Sequence, residues 1–236
     1  LTQVSQLQVR AHARPRKDEM ATTLVIGNKN YSSWSLRPWL LLRHHGVAFA
    51  EEWLPLDTPE FHARIGKWSP TRRVPALHDD GLVVWDCLAI CEYANDKWLQ
   101  GAGWPQDLRA RAMARCAAAE MHSGFAALRS QLPMNVRRQP TGRHWDEAVD
   151  RDVQRLLELW RGLRRDYGEG GPFLFGARFG IVDAMFAPVC VRFRGYGVPV
   201  DDVAGDYMAA IFALPAMRDW EQAALAEPAR VAADEA

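Results

Sequence analysis

The sequence predicts an α/β lobe followed by an all-α lobe. Two observations carry this. Over the first hundred residues, short apolar strands alternate with helical stretches, and one tight hairpin signal lies among them. After the turn-rich segment Gly101 to Asp107, GAGWPQD, every periodic stretch has helical spacing. The expected organisation is an extension over 1–21, an α/β domain over 22–100, a linker over 101–105, a helical domain over 106–228 and a tail over 229–236.

Residues 1–19 are polar and basic with little periodicity, so the 1–21 extension is expected to be poorly ordered. Residues 24–27 read as a strand. A helix over 35–45 follows, with Pro38 in its first turn and Gly46 beyond its end. Phe49 to Leu54 alternates and reads as a second strand, parallel to the first if the helix between them is a crossover. Pro59 to Gly66 reads as a short helix with Thr58 as N-cap. Val74 to His78 is a strand opening on Pro75, which belongs at an edge or a strand start because it cannot donate to the ladder. Asp79-Asp80-Gly81 is a hairpin signal leading into Leu82, Val83 and Val84. A helix over 87–98 is placed for capping by Asp86.

The second lobe opens with one long helix over 106–131, and Pro133, Pro140 and Gly142 break the chain after it. Residues 145–167 form another, with Val153, Leu156, Leu157 and Trp160 on one stripe. Gly168, Gly170 and Gly171 end it. Phe173 to Gly176 leads into a helix over 181–193, and shorter helices near 203–212 and 215–226 complete the chain. There is no internal repeat.

Composition excludes some classes. Lys plus Arg and Asp plus Glu both count 29, so no net charge pulls the chain toward nucleic acid or an anionic membrane, and neither is expected as a partner. No apolar run approaches a bilayer span, and the N-terminus has no apolar signal core. Cys87, Cys91, Cys116 and Cys190 form no CxxC pair and no zinc-ligand spacing, so no metal is expected. The chain reads as free-thiol and cytoplasmic. Ten scattered tryptophans are apolar payload for a core or an interface, save Trp34.

Trp34 lies in the most informative stretch, Leu24 to Leu42, LVIGNKNYSSWSLRPWLLL. There Ser32, Ser33 and Ser35 sit where a strand hands over to a helix N-terminus. First-turn N–H groups are unpaired and the helix dipole is positive there, so the junction suits a thiolate or another anion.

Four motifs, in order and spacing, resemble the cytosolic glutathione transferases over residues 22–228. SSWSLRPWLLL, residues 32–42, looks like the serine-type first-helix motif of the zeta and tau classes. RRVPALHDDG, residues 72–81, looks like the cis-proline strand and hairpin. VVWDCLAICEYA, residues 83–94, resembles the acidic-Ser segment opening the third helix. FLFGARFGIVDAMFAPV, residues 173–189, resembles the helix-capping motif of the second domain. EMHSGFAALRSQLPMNVR, residues 120–137, further resembles a bacterial group of the superfamily.

The resemblance implies a thioredoxin-like first domain with a mixed four-stranded sheet, and an all-helical second domain supplying an electrophile pocket and much of a homodimer interface. It implies glutathione as co-substrate, ionised to a thiolate that attacks a small hydrophobic electrophile. On that pattern Ser32 faces the sulfur, Ser33 is the alternative, and Ser35 caps the helix. Val74 pairs its backbone with the cysteinyl backbone of glutathione, and Pro75 is the cis-proline. Asp86 takes the ammonium of the γ-glutamyl end and Cys87 its carboxylate. Tyr31, Trp34, Met121 and Phe125 would line the electrophile pocket. His122 reads as structural or solvated, Asp183 as structural, and Arg37 as ion-paired or solvent-facing, outside the site.

The chain departs from that pattern at three positions. Cys87 stands where serine is usual; at a helix N-terminus its thiol is either activated for a mixed disulfide or buried and inert. Trp34 replaces the cysteine of the zeta-type motif. Gly180 replaces the serine of the capping motif, at an expected cost of about a few tenths of a kcal/mol relative to serine. Alternative readings are a non-catalytic glutathione-binding or structural protein, a glutathione-dependent isomerase or dehalogenase, and a thiol-disulfide enzyme working through Cys87.

Overall fold

The computed structural model describes residues 22–142 and 145–235; the expectation for 1–21 lies outside them. The first lobe runs β1 (Thr22–Ile26), α1 (Ser33–His44), β2 (Ala50–Trp53), α2 (Pro59–Ile65), β3 (Ala76–Asp79), β4 (Leu82–Trp85) and α3 (Cys87–Lys97). Its sheet has the order β2-β1-β3-β4, with β1 parallel to β2 as the crossover helix requires and the other pairs antiparallel. The β3–β4 hairpin turns on Asp80 and Gly81, both at positive φ, as a two-residue turn of this hand demands.

Alternation along β1 assigns the two faces of the sheet. Leu24 and Ile26, with Leu77 of β3, join the large core with α1 and α3; Val25 and Ala76 turn the other way onto Phe61 and Ile65 of α2. Thr58 caps α2 as expected, its side chain accepting the Phe61 N–H at 3.1 Å.

The second lobe comprises α4 (Leu108–Ser123), α5 (Ala126–Gln131), α6 (Glu147–Tyr167), α7 (Ile181–Tyr196), α8 (Asp202–Ala213), α9 (Pro215–Ala226) and a 3-10 turn (Ala232–Asp234). The single long helix expected over 106–131 is two helices. Gly124 is extended and Phe125 is left-handed at φ +56, so the chain turns between them. The helical spacing of the sequence continues through this point, which hides the turn.

Helix α7 is the buried axis of the lobe: of its sixteen residues only Arg194 is exposed. It packs on α4, α8 and, across the lobes, on α1. Trp160 of α6 meets Phe186 and Phe193 of α7 and Tyr207 of α8. This aromatic cluster gives α6 its apolar stripe something to bury against.

The N-terminus of α7 is held by Asp183. Its carboxylate accepts the Gly180 N–H at 2.9 Å and the Leu174 N–H at 3.1 Å, satisfying a first-turn donor and the preceding turn together. The expected penalty for glycine at 180 is overturned. A Cβ there would stand 2.8 Å from the Gly103 carbonyl oxygen, which already accepts the Ile181 N–H at 2.9 Å. Glycine lets the linker pass close over the helix end. Gly180→Ala is therefore expected to lower stability by about 1–3 kcal/mol, measured by denaturant unfolding.

Candidate active site

A cavity of about 620 Å³ opens between the lobes, lined by Trp34, Thr71, Arg73, Val74, Pro75, Trp85, Asp86, Cys87, His122 and Arg129. Three segments of the first lobe and two helices of the second build it. The first turn of α1 supplies Trp34. The approach to β3 supplies Val74 and Pro75, joined by a cis peptide bond. The β4–α3 junction supplies Asp86 and Cys87. His122 on α4 and Arg129 on α5 close it from the second lobe.

Val74 lies before β3 and outside the ladder, which begins at Ala76, so its backbone is not committed to the sheet. Asp86 caps α3 at φ +75: one carboxylate oxygen accepts the Leu88 and Ala89 N–H groups at 2.8 and 3.4 Å. The other oxygen is 2.7 Å from His122 Nε2. The His122 ring in turn meets Trp34 edge-on, with centroids 5.4 Å apart. Thus His122, read as structural or solvated in the sequence, joins the two sides of the cavity. Asp86, Cys87 and His122 bring three possible metal-ligand atoms within 4.8 Å of one another. The cap and the hydrogen bond account for two of them, and the nearby guanidinium of Arg37 opposes a cation.

Cys87 is buried, and burial pushes its thiol up to about 12, with the Arg37 guanidinium opposing this and Asp86 adding to it. The activating effect of the helix N-terminus is outweighed by desolvation. Of the two sequence expectations, the environment is that of the buried thiol, and an unreactive Cys87 is the expected outcome. Treating the native protein with oxidised glutathione is expected to label exposed Cys116 and leave Cys87 unmodified by mass spectrometry.

The serines lie beneath the surface. Ser32 is the N-cap position of α1 yet makes no side-chain cap; its hydroxyl donates to Ser35 Oγ at 2.7 Å. Ser35 is not a cap either. It sits inside the first turn, where its oxygen accepts the Gly27 N–H at 3.2 Å and ties the strand end to the helix. Ser33 Oγ accepts from Arg192 Nη2 of α7 at 3.3 Å. Neither Ser32 nor Ser33 lines the cavity; Trp34, the next residue, does.

The structure brings Trp34, Val74, Pro75, Asp86 and Cys87 together and leaves Tyr31, Met121 and Phe125 out of the cavity. Tyr31 points the other way, bonded to Glu235 and receiving Arg137 Nη2 at 2.6 Å. Met121 is core and Phe125 occupies the left-handed turn. Arg37 also departs from its expected place. It is fully buried and, among the described residues, has no carboxylate partner, donating to the Met185 and Ser33 carbonyl oxygens at 3.1 and 3.3 Å, with its guanidinium 4.3 Å from the Trp34 ring centroid.

The segment after α9 fastens the serine loop from outside. The Glu227 carboxylate accepts the Lys29 and Asn30 N–H groups at 2.8 and 3.4 Å. Asn30 donates its side-chain amide to Asn135 at 2.9 Å. These contacts span both lobes, which no local sequence signal reports.

Comparison with known proteins matches this arrangement. The glutathione S-transferase N-terminal domain model matches residues 31–97, and the glutathione S-transferase C-terminal domain model matches residues 146–223, together more than half the chain. The chain belongs to the glutathione S-transferase superfamily. It is 28% identical over 143 residues to Glutathione S-transferase 1 of Dianthus caryophyllus, an alignment covering 60% of this chain and 62% of that protein. Among solved structures, a glutathione transferase homolog from Burkholderia gl BGR1 with bound glutathione aligns with a TM-score of 0.66 at 25% identity, covering 87% of this chain and 99% of that one. The Tau class glutathione S-transferase of mango, Mangifera indica, shares the fold at 20% identity with a TM-score of 0.67, over 89% of this chain and 97% of its own. Within this glutathione transferase fold the cavity lies between the thioredoxin-like sheet domain and α4–α5 of the helical domain. No helix among the described residues is long and apolar enough to cross a membrane.

Proposed function

We propose that this chain is a glutathione transferase that binds glutathione in the interlobe cavity and presents it as a thiolate to a small electrophile. The observation that carries the reading is the convergence, in one cavity, of the uncommitted Val74 backbone, the cis Val74–Pro75 bond and the Asp86-capped start of α3. An extended tripeptide can lay its backbone along Val74, as a strand would, with its γ-glutamyl ammonium toward Asp86. Cys87 would contribute its backbone N–H at the helix start, since its buried thiol is a weak donor. This leaves the sulfur at the N-terminus of α1, in the field of the helix and of Arg37.

A hydroxyl proton and that positive field both favour thiolate over thiol. Ser32 lies beneath the cavity lining, two residues before Trp34, and is the proposed donor to a sulfur that enters below that lining at the start of α1. Ser35 has a hydroxyl proton of its own; turned onto Ser32, it frees the Ser32 proton for sulfur. The thiolate then attacks the electrophilic carbon, a sulfur–carbon bond forms, and the leaving group departs with the electron pair of its bond. The thiol proton has already passed to solvent. The Trp34 ring forms the wall against which the electrophile lies.

Leu82 and Trp85 of β4 are exposed beside an apolar groove lined by Val83, Leu88 and Ala89, a face suited to the homodimer proposed here. The cysteines are all free, which fits the proposed cytoplasmic location.

Titration calorimetry with glutathione tests the reading, paired with a conjugation assay on 1-chloro-2,4-dinitrobenzene. Binding with turnover supports it; binding without turnover favours a glutathione-binding protein that lost catalysis; no binding refutes both. Asp86→Asn keeps an effective N-cap while removing the charge. It is expected to raise the glutathione KM about tenfold or more with little change in Tm. An unchanged KM would remove Asp86 from ammonium recognition.

A further inference from the structure

At and behind one wall of the cavity lies more positive charge than the proposed glutathione contacts use. Arg37 of α1, Arg129 of α5 and Arg192 of α7 converge around Trp34 and Ser33. The guanidinium carbons of Arg37 and Arg129 lie 4.3 and 5.5 Å from the Trp34 ring centroid, and Arg192 bonds Ser33 Oγ at 3.3 Å. Arg37 and Arg192 are buried, and their hydrogen bonds run to the Met185, Ser33, Leu132 and Pro188 carbonyl oxygens and that hydroxyl. Among the described residues none of the three is ion-paired with a carboxylate. Asp86 and Asp234 favour the charges on Arg37 and Arg192 only through space.

Two of these donors lack a partner among the described residues: Arg37 Nη2 and Arg129 Nε are buried without a hydrogen bond there. Burying like charges together is costly, and here the cost is visible. Arg192 is pushed down to about 9, by burial first and then by Arg37 and Arg129. Such a cluster is compensated when an anion enters, because guanidinium–carboxylate hydrogen bonds are strong and directional. Only Arg129 of the three lines the cavity, and it does so beside Trp34. A planar acid could lie on the indole and reach Arg129 with its carboxylate.

We propose that the second substrate is a carboxylate-bearing electrophile, held by Arg129 at the Trp34 wall with the charges of Arg37 and Arg192 behind it. Its role as second substrate rests on the glutathione reading; the anion site itself does not. The electrophile expected from the family resemblance was a hydrophobic one, and the three arginines replace that expectation with an amphiphilic ligand, apolar on the indole and anionic at one end.

The test uses the full chain without glutathione, titrated calorimetrically with benzoate and with its neutral isostere benzamide. Benzoate is expected to bind about tenfold tighter or more. Arg129→Gln is expected to abolish that preference, and Arg129→Lys to restore part of it, which excludes simple unfolding as the cause. Equal binding of the two probes overturns the proposal, as does a preference that survives in Arg129→Gln. Exclusion of benzoate by saturating glutathione also overturns it, because the acid would then occupy glutathione's own carboxylate subsite. If glutathione does not bind but the benzoate preference holds and follows Arg129, the transferase reading fails and the anion site stands.

Discussion

Ser32→Ala is expected to lower kcat/KM for conjugation by about 10²–10³, the loss typical when one preorganised donor to a developing or bound anion is removed. The basis is local. Ser32 is the N-cap residue of α1, its hydroxyl sits 2.7 Å from Ser35 Oγ, and Ser35 is fixed by the Gly27 N–H. A hydroxyl held by a second hydroxyl keeps its orientation without being consumed by a carbonyl. Stability should fall by no more than about 1 kcal/mol, the worth of the one buried hydrogen bond to Ser35, since Ser32 makes no side-chain cap. Ser33→Ala distinguishes the neighbours. It removes the acceptor of Arg192 Nη2 and is expected to cost less than tenfold in rate, with a measurable loss of Tm instead. Steady-state kinetics on both variants checks this; the reverse pattern would move the sulfur contact to Ser33.

Asp183→Ala is expected to produce the largest stability loss of any single substitution considered. Two N–H groups, the buried one of Leu174 and the part-buried one of Gly180, would lose their acceptor at once. At about 1–3 kcal/mol for each orphaned donor, the loss amounts to a large part of the stability of a typical domain. Denaturant unfolding measures it; a loss under about 1 kcal/mol would show that water replaces the carboxylate. The same group gives a pH signature. Burial raises the Asp183 carboxyl to about 6, against the lowering effect of the two N–H donors. The folded value thus lies above the unfolded value of about 3.9. Its contribution is fully present below the unfolded value and is lost as pH rises through about 6. Asp183→Asn should flatten the Tm profile across that window, and an unaltered profile would assign the window to other groups.

Both lobes were legible in the sequence because their signals are local. The Asp-Gly hairpin, the Thr58 and Asp86 caps and the crossover between two short strands each depend on a few adjacent residues. The α4–α5 break was hidden because Phe125 takes a left-handed conformation that side-chain periodicity does not encode. Ser35 read as a cap because a serine near a helix start usually is one; the helix begins two residues earlier, which turns the same oxygen toward Gly27.

The site was legible where a motif carried it and obscure where tertiary packing decided. Val74, Pro75, Asp86, Cys87 and Trp34 meet in one cavity. Tyr31 left it because Arg137 and Glu235, more than a hundred residues away, hold its hydroxyl. Cys87 carries the helix-terminus signal of an activated thiol, yet desolvation, invisible in one dimension, reverses it. Arg37 read as an ordinary charged residue because nothing in its neighbourhood reveals that α7 buries it. His122 and Arg129 belong to a segment whose resemblance was noted, but only the turn at Phe125 places both on the cavity.

The central claim is that the junction of β1 and α1 stabilises a thiolate, and the ionisation of bound glutathione measures this directly. Difference absorbance of the thiolate, followed against pH on the saturated protein, gives the pKa of the bound thiol. The expected value lies at least about one unit below the roughly 8.5 of a free thiol and rises toward it in Ser32→Ala. Glutathione that binds with its ordinary pKa, or a depressed pKa that Ser32→Ala leaves in place, would contradict the role given to that junction.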